Sequence, residues 1–258
     1  MRICLIGAGN VGTQLGLAFY KAGHQVIQVF NRGASRAEKL ASLISSEPIS
    51  SLQNLKNGAD VYILAVKDDA ISDVFNQIRS YLSDSLVMHT AGSVPMTIFT
   101  DHSRHGVLWP VQTFSRSHKV DMRGVPLAIT GNIPETTLAI EALAKSISDH
   151  VYHIDDTQRA FLHLAATFAS NFSNHMYTLS RQITEAQDIP FDILKPLIQE
   201  TALKIQRMSP EEAQTGAAVR RDEGTILRHL LLMKENTEMK EVYELLTKSI
   251  QSSSENAG

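Results

Sequence analysis

The chain has 258 residues, 43% hydrophobic and 20% charged, with 14 Gly and 8 Pro. That composition supports a real core and excludes a disordered or collagen-like chain. Lys and Arg number 24 against 27 Asp and Glu, a formal net charge of -3, so there is no basic excess to grip a nucleic-acid backbone. The lone cysteine, Cys4, excludes an internal disulfide or multi-cysteine zinc site and points to a reducing, cytoplasmic setting.

Short apolar runs alternate with helical patterns through the first half, the signature of parallel α/β units. Arg2 to Ile6 is predicted as a strand buried on both faces, followed by a helix from Asn10 to Ala22 and a second strand from Gln25 to Phe30. Further strands are expected at Val61–Val66, Ser85–His89, Val125–Thr130 and His150–Ile154, with helices at 34–43, 71–81 and 135–148. After Asp155 the texture becomes helical: residues 157–187 contain no Gly or Pro, and apolar residues recur at helical spacing. More helices are predicted at 192–208, 222–233 and 237–250, ahead of a frayed Ser-rich tail of seven residues. These features divide the chain into an α/β Rossmann domain, doubly wound, over 1–154 and an all-α domain over 155–258. The uncharged stretch Ile3–Tyr20 is too rich in Gly and polar residues for a membrane span, and no membrane association is expected.

Gly7-Ala8-Gly9-Asn10-Val11-Gly12 joins the first strand to the first helix. The first glycine permits a tight turn, the second lets a pyrophosphate approach the backbone, and the third packs helix against strand. The amides of Asn10, Val11 and their neighbours then face the anion. No acidic residue precedes Glu38, and the second strand ends in Asn31 and Arg32, with Ser35 and Arg36 opening the next helix. A ribose 2′-phosphate wants a guanidinium, a hydroxyl and free helix amides, so NADP(H) is favoured over NAD(H). Alternatively, Arg32 and Arg36 belong to a solvated face. Val66 and Lys67 end another strand where a dinucleotide crosses the sheet, and Lys67 is either a cofactor contact or an exposed loop lysine.

The opening RICLIGAGNVG, the VFNR after the second strand and VYILAVKDDAI resemble the superfamily of pyrroline-5-carboxylate reductase, 6-phosphogluconate dehydrogenase and 3-hydroxyisobutyrate dehydrogenase. The segments HTAGS from His89, WPVQTF from Trp109, HLAA from His163 with Asn171, and TGAAVRRD from Thr215 are similar to the branch of NADP- or coenzyme F420-dependent oxidoreductases. The resemblance implies a Rossmann domain, a helical domain similar to the 6-phosphogluconate dehydrogenase C-terminal domain that builds a homodimer, and an active site in the cleft between them. Hydroxyacid dehydrogenases of the superfamily carry a lysine four residues before an asparagine on the long helix. Here Thr167 takes that position before Asn171, and residues 156–180 contain no Lys, which argues against that mechanism.

Three candidates remain for catalysis: His89, His163 and Asn171. His89 closes a strand at the sheet's carboxyl edge, where an imidazole could exchange a proton during hydride transfer. The alternative is a histidine that caps backbone groups. His163, Thr167, Asn171 and Asn174 fall on one helical face, lining a cleft or forming a buried polar network. Trp109 to Phe114 is expected as a loop, walling a pocket or closing a turn. Arg220, Arg221 and Asp222 either clamp an anionic group or, for Asp222, cap the following helix. The His102/His105 and His150/His153 pairs match no zinc spacing, and no metal site is expected. The sequence thus predicts an NADP(H)-dependent oxidoreductase acting on a small metabolite. The alternatives are a non-catalytic NADP(H)-binding sensor or assembly protein, and an enzyme exchanging hydride with a deazaflavin.

Overall fold

The computed structural model describes residues 1–115 and 120–255. Its N-terminal part is built on eight strands: β1 (Arg2–Ile6), β2 (Gln25–Phe30), β3 (Glu47–Ile49), β4 (Val61–Leu64), β5 (Leu86–His89), β6 (His105–Pro110), β7 (Leu127–Gly131) and β8 (Val151–His153). They form one sheet in the order β3-β2-β1-β4-β5-β6-β7-β8. All neighbours are parallel except β6 and β7. The first six strands follow the doubly wound order, in which the strand sequence reverses direction between β1 and β4.

The unbroken apolar run of β1 reflects burial on both faces. Ile3 and Leu5 enter one core with Leu15 and Phe19 of helix α1 (Asn10–Lys21) and Leu40 of α2 (Ala34–Leu43). Cys4 and Ile6 enter the other, with Ile71, Val74, Phe75 and Ile78 of α3 (Ile71–Ile78). Successive side chains of a strand point to opposite faces, so a strand covered by helices on both sides must be apolar throughout. Helix α4 (Pro134–Lys145) completes the first core through Ile140, Leu143 and Ala144.

Two strands lie outside the predicted set. β3 is short and contains Pro48. β6 carries Gly106, Trp109 and Pro110, so the expectation of a loop from Trp109 is corrected: Trp109 and Pro110 are strand residues. Proline survives there because β5 pairs only with His105 to Val107, leaving Pro110 bonded to β7 alone.

The long helical run begins as α5 (Asp156–Ala166), started by a reciprocal capping box between Asp155 and Gln158. It passes through a π-helical segment, Thr167–Phe172, into α6 (Ser173–Glu185). Helices α7 (Lys195–Lys204), α8 (Pro210–Ala213), α9 (Glu223–Leu232) and α10 (Thr237–Glu255) follow. The predicted frayed tail is corrected in part, since the last helix runs on through Glu255. The chain separates into two compact units, Met1–Asn171 and Phe172–Gly258. Among the described residues, no helix is long and apolar enough to cross a membrane.

Leu15 is fully buried, whereas Leu138 on α4 is 63% exposed. Leu15→Ala is expected to cost about 2–5 kcal/mol and Leu138→Ala less than about 0.5. Urea denaturation followed by Trp109 fluorescence, which reports on the same unit, measures the difference.

Candidate functional site

The turn between β1 and α1 shows why each glycine is present. Gly7 has φ +116°, and an added Cβ would lie 2.3 Å from the Ala65 carbonyl oxygen. A Cβ on Gly12 would lie 1.9 Å from the carbonyl oxygen of Gly7. A Cβ on Gly9 would meet nothing within 4 Å, so Gly9 is not demanded by the protein's own packing and the space beside it is open. Gly9 is also the N-cap of α1, with no side chain capping the helix and no acidic residue in its first turn. The first amides of α1, including those of Asn10 and Val11, therefore lack a side-chain acceptor. The Asn10 side chain reaches sideways, donating from Nδ2 to the Phe114 carbonyl at 2.7 Å.

Helix α2 repeats the arrangement. Its N-cap is Gly33, again without a side-chain cap or a first-turn acid. Asn31 shapes this corner, accepting from the Ala8 amide at 3.3 Å and donating to the Gly33 carbonyl at 3.0 Å. Two grooves flank it. One, of about 570 Å³, is lined by Gly9, Asn10, Thr13, Ser35, Arg36 and Lys39 among others. The second, of about 490 Å³, is lined by Gly9, Asn31, Arg32, Arg36, Val66 and Lys67 among others. Among the described residues, neither Arg32 nor Arg36 forms an ion pair. All the predicted cofactor residues except Gly7, Val11 and Gly12 thus line one or both grooves, and those three build the turn and helix start beside them.

The predicted catalytic residues separate. His89 is fully buried at the end of β5. Its Nδ1 accepts the Ala91 amide at 3.2 Å, which places the ring proton on Nε2, an atom without a hydrogen bond of ordinary geometry. Burial, reinforced by the positive charge of Arg159, pushes its pKa down to about 4, against a weaker opposing pull from the Pro95 backbone and from Asp156 and Asp68. His89 is a neutral core histidine at physiological pH.

His163 is half-buried and lies beside Trp109, with ring centroids 5.6 Å apart. Gly92 admits these two rings: a Cβ there would fall 2.5 Å from His163 Cδ2 and 2.8 Å from Trp109 Cε2. The single polar face predicted along the helix is interrupted. Thr167 turns its hydroxyl back to the His163 carbonyl at 3.0 Å, and the π segment inserts wider turns before Asn174. Asn171 lies inside that segment and is exposed.

Asp222 caps α9, accepting from the Thr225 amide at 3.0 Å and its hydroxyl at 2.8 Å. Those two bonds hold its carboxyl below the usual carboxylate range. His102 and His105 are buried, each bonded to a backbone carbonyl. Among the described residues, no group of three His, Cys, Asp or Glu is placed to hold a metal ion. Arg159, Asp156 and Asp68, all missed by sequence reasoning, surround the segment after β5. Only the proximity of Asp156 to the helix start was legible.

A solved structure from Bacteroides fragilis, designated an NADP oxidoreductase, is 38% identical, covers 97% of this chain and 98% of its own, and superposes with a TM-score of 0.92. The chain belongs to this NADP oxidoreductase family. Residues 2–92 match the family model described as NADP oxidoreductase coenzyme F420-dependent, and residues 125–250 match a domain of unknown function, DUF2520. A Thermotoga maritima protein is 21% identical over 98% of this chain and 99% of its own, with a TM-score of 0.84. An imine reductase from Myxococcus stipitatus in complex with NADP+ is 15% identical over 100% of this chain and 94% of its own, with a TM-score of 0.69. These last two establish a shared fold. No curated protein matches the sequence. The family's cofactor is NADP(H), and the uncapped starts of α1 and α2, the open space at Gly9 and the unpaired Arg32 and Arg36 all fit it.

Arg32→Ala/Arg36→Ala is expected to raise the NADPH dissociation constant by at least about 100-fold, from the loss of charge-assisted bonds worth about 1.5–3 kcal/mol each. NADH binding should change by about threefold or less, and calorimetric titration of both nucleotides measures the contrast. For His89, the unfolded chain binds a proton at 6.5 and the folded chain only at about 4. The native state's advantage is therefore complete above pH 6.5 and falls by about 3 kcal/mol as pH drops towards 4. Denaturation of wild type and His89→Gln across that range should show the gap between them narrowing.

Proposed function

We propose that the protein is an NADP(H)-dependent oxidoreductase that interconverts a small metabolite bearing a carbon–nitrogen or carbon–oxygen double bond with its reduced form. The observation that carries this reading is the pair of uncapped helix starts on glycine, with Arg32, Ser35 and Arg36 beside the second. The start of α1 would hold the pyrophosphate, and Ser35 and Arg36 the 2′-phosphate, with Arg32, Asn31, Val66 and Lys67 along the adenosine path. When bound, the cofactor supplies or accepts hydride.

The chain's own task is to orient the substrate and to move a proton. His163 suits the second role better than His89. Its ring is half-buried and, among the described residues, neither nitrogen makes a hydrogen bond, so either can meet a developing alkoxide or amine. His89 is closed off from any ligand. Asn171, exposed and able both to donate and to accept, is assigned to the substrate's polar group. A reducing cytoplasm is the proposed compartment, in keeping with the single buried thiol of Cys4.

We also propose that the working species is a homodimer. Among the described residues of the second unit, Met239 is the one buried apolar side chain, while Leu197, Leu231, Leu232 and Leu245 are 61–84% exposed. Helices that leave this much apolar surface in water need another chain to cover it, and a second copy has the same faces to offer.

Steady-state assays of NADPH oxidation with cyclic imines, small ketones and oxidised F420 test the activity. His163→Ala should lower kcat about 100-fold or more with the NADPH dissociation constant unchanged. Tight NADPH binding without turnover on any acceptor class would favour a sensor. Sedimentation at micromolar concentration should return twice the chain mass.

A further inference from the structure

Arg159 has no place in the cofactor site, yet its side chain is only 1% exposed. Its Nη2 donates to the Val94 carbonyl at 2.6 Å and to Asp156 Oδ1 at 2.7 Å, and its Nη1 to Thr130 Oγ1 at 3.4 Å. The other oxygen of Asp156 accepts the Met96 amide at 2.9 Å. One ion pair in the first turns of α5 thus grips the segment after β5 at two backbone points. On its far side that segment is held again, by Ser93 Oγ donating to Asp68 Oδ2 at 2.6 Å. Immediately before these anchors lies Gly92, on which the rings of His163 and Trp109 rest.

His163 follows Arg159 by one helical turn. No hydrogen bond fixes its ring among the described residues, so the ring's position is set by what it touches, Gly92 and Trp109. Whatever holds residues 90–96 against α5 therefore holds His163. An ion pair taken out of water is expensive, and an apolar pair of similar volume is often as stable or more so. The Nε of Arg159 is moreover left without a partner. Stability alone does not explain a guanidinium here. Only its fork reaches a carbonyl, a carboxylate and a hydroxyl at once.

We propose that Arg159 is a positioning residue: with Asp156 it clamps the 90–96 segment to α5 so that the His163 ring is seated on Gly92 against Trp109. The proposal rests on the reading of His163 as the proton-exchanging group for its effect on rate, but not for its effect on geometry.

The test uses two readouts. Trp109 is the sole tryptophan, and protonation of an adjacent imidazole quenches indole fluorescence. The pH-dependent quench, abolished by His163→Ala, therefore reports the ring pair without any turnover. Arg159→Lys keeps the charge and loses the fork. It should lose more than about half of the quench amplitude and about 10–100-fold in kcat, the scale of an ångström-sized misplacement, with the NADPH dissociation constant unchanged. Loss of the quench with kcat intact would uphold the clamp and sink the catalytic reading of His163. A folded Arg159→Lys with the full quench would overturn the clamp, whatever its kcat. If Arg159→Lys does not fold, Gly92→Ala replaces it, displacing His163 while leaving Arg159 in place. Retention of the quench in that variant would overturn the proposed seat.

Discussion

The constraint on which the first unit depends is the unsatisfied amides where β1 gives way to α1. Gly7 adopts a left-handed φ and any Cβ on it would strike the backbone of Ala65, and that turn aims the helix start at open space. A serine or aspartate at Gly9 would satisfy the helix from within and fill the space. Side chains cap three other helices, Asp155 on α5, Ser209 on α8 and Asp222 on α9, whereas α3, α4, α6 and α7 start without one. What sets α1 and α2 apart is a glycine N-cap with neither a side-chain cap nor an acid in the first turn, which leaves their first amides open to a ligand. Two anion-seeking ends within one corner of a sheet match the two phosphate positions of NADP(H).

Around that corner, burial sorts the titratable groups by task. His89 and His163 both stand at the carboxyl edge of the sheet, yet one is enclosed and neutral and the other is half-buried with its nitrogens unbonded. The distinction comes from the segment after β5, which folds over His89 and beneath His163. The polar side chains that hold this segment, Asp68 after β4 and Asp156 and Arg159 of α5, come from elements far apart in the chain. Placement of the His163 ring is thus a property of how those elements meet.

The second unit follows a different physical rule. Its helices are amphipathic but find too little apolar surface within their own unit, and large side chains such as Leu232 at 84% exposure are left in water. A parallel sheet covered on both sides makes two cores from one chain, whereas these helices make none without more surface. This contrast explains why apolar spacing alone located the helices but did not reveal which faces a single chain would bury.

Local chemistry in the sequence determined the Rossmann turn, its first two strands, the Arg32–Arg36 corner and the Asp222 cap, because each depends on residues close together in the chain. Glycine conformations, helix starts and two-sided strands leave local marks. β6 was illegible because its Gly and Pro are tolerated only by its unpaired end beyond β5, a fact about a neighbour. The polar helix face failed beyond Thr167 because constant helical spacing was assumed where the backbone widens into π turns. Arg159 carried no signal at all, since a buried guanidinium and an exposed one look alike in a sequence. The sequence by itself determined what kind of molecule binds, through residues that are neighbours in the chain. Tertiary structure alone decided which histidine is sealed and which is open, because desolvation and contact depend on segments that only folding brings together.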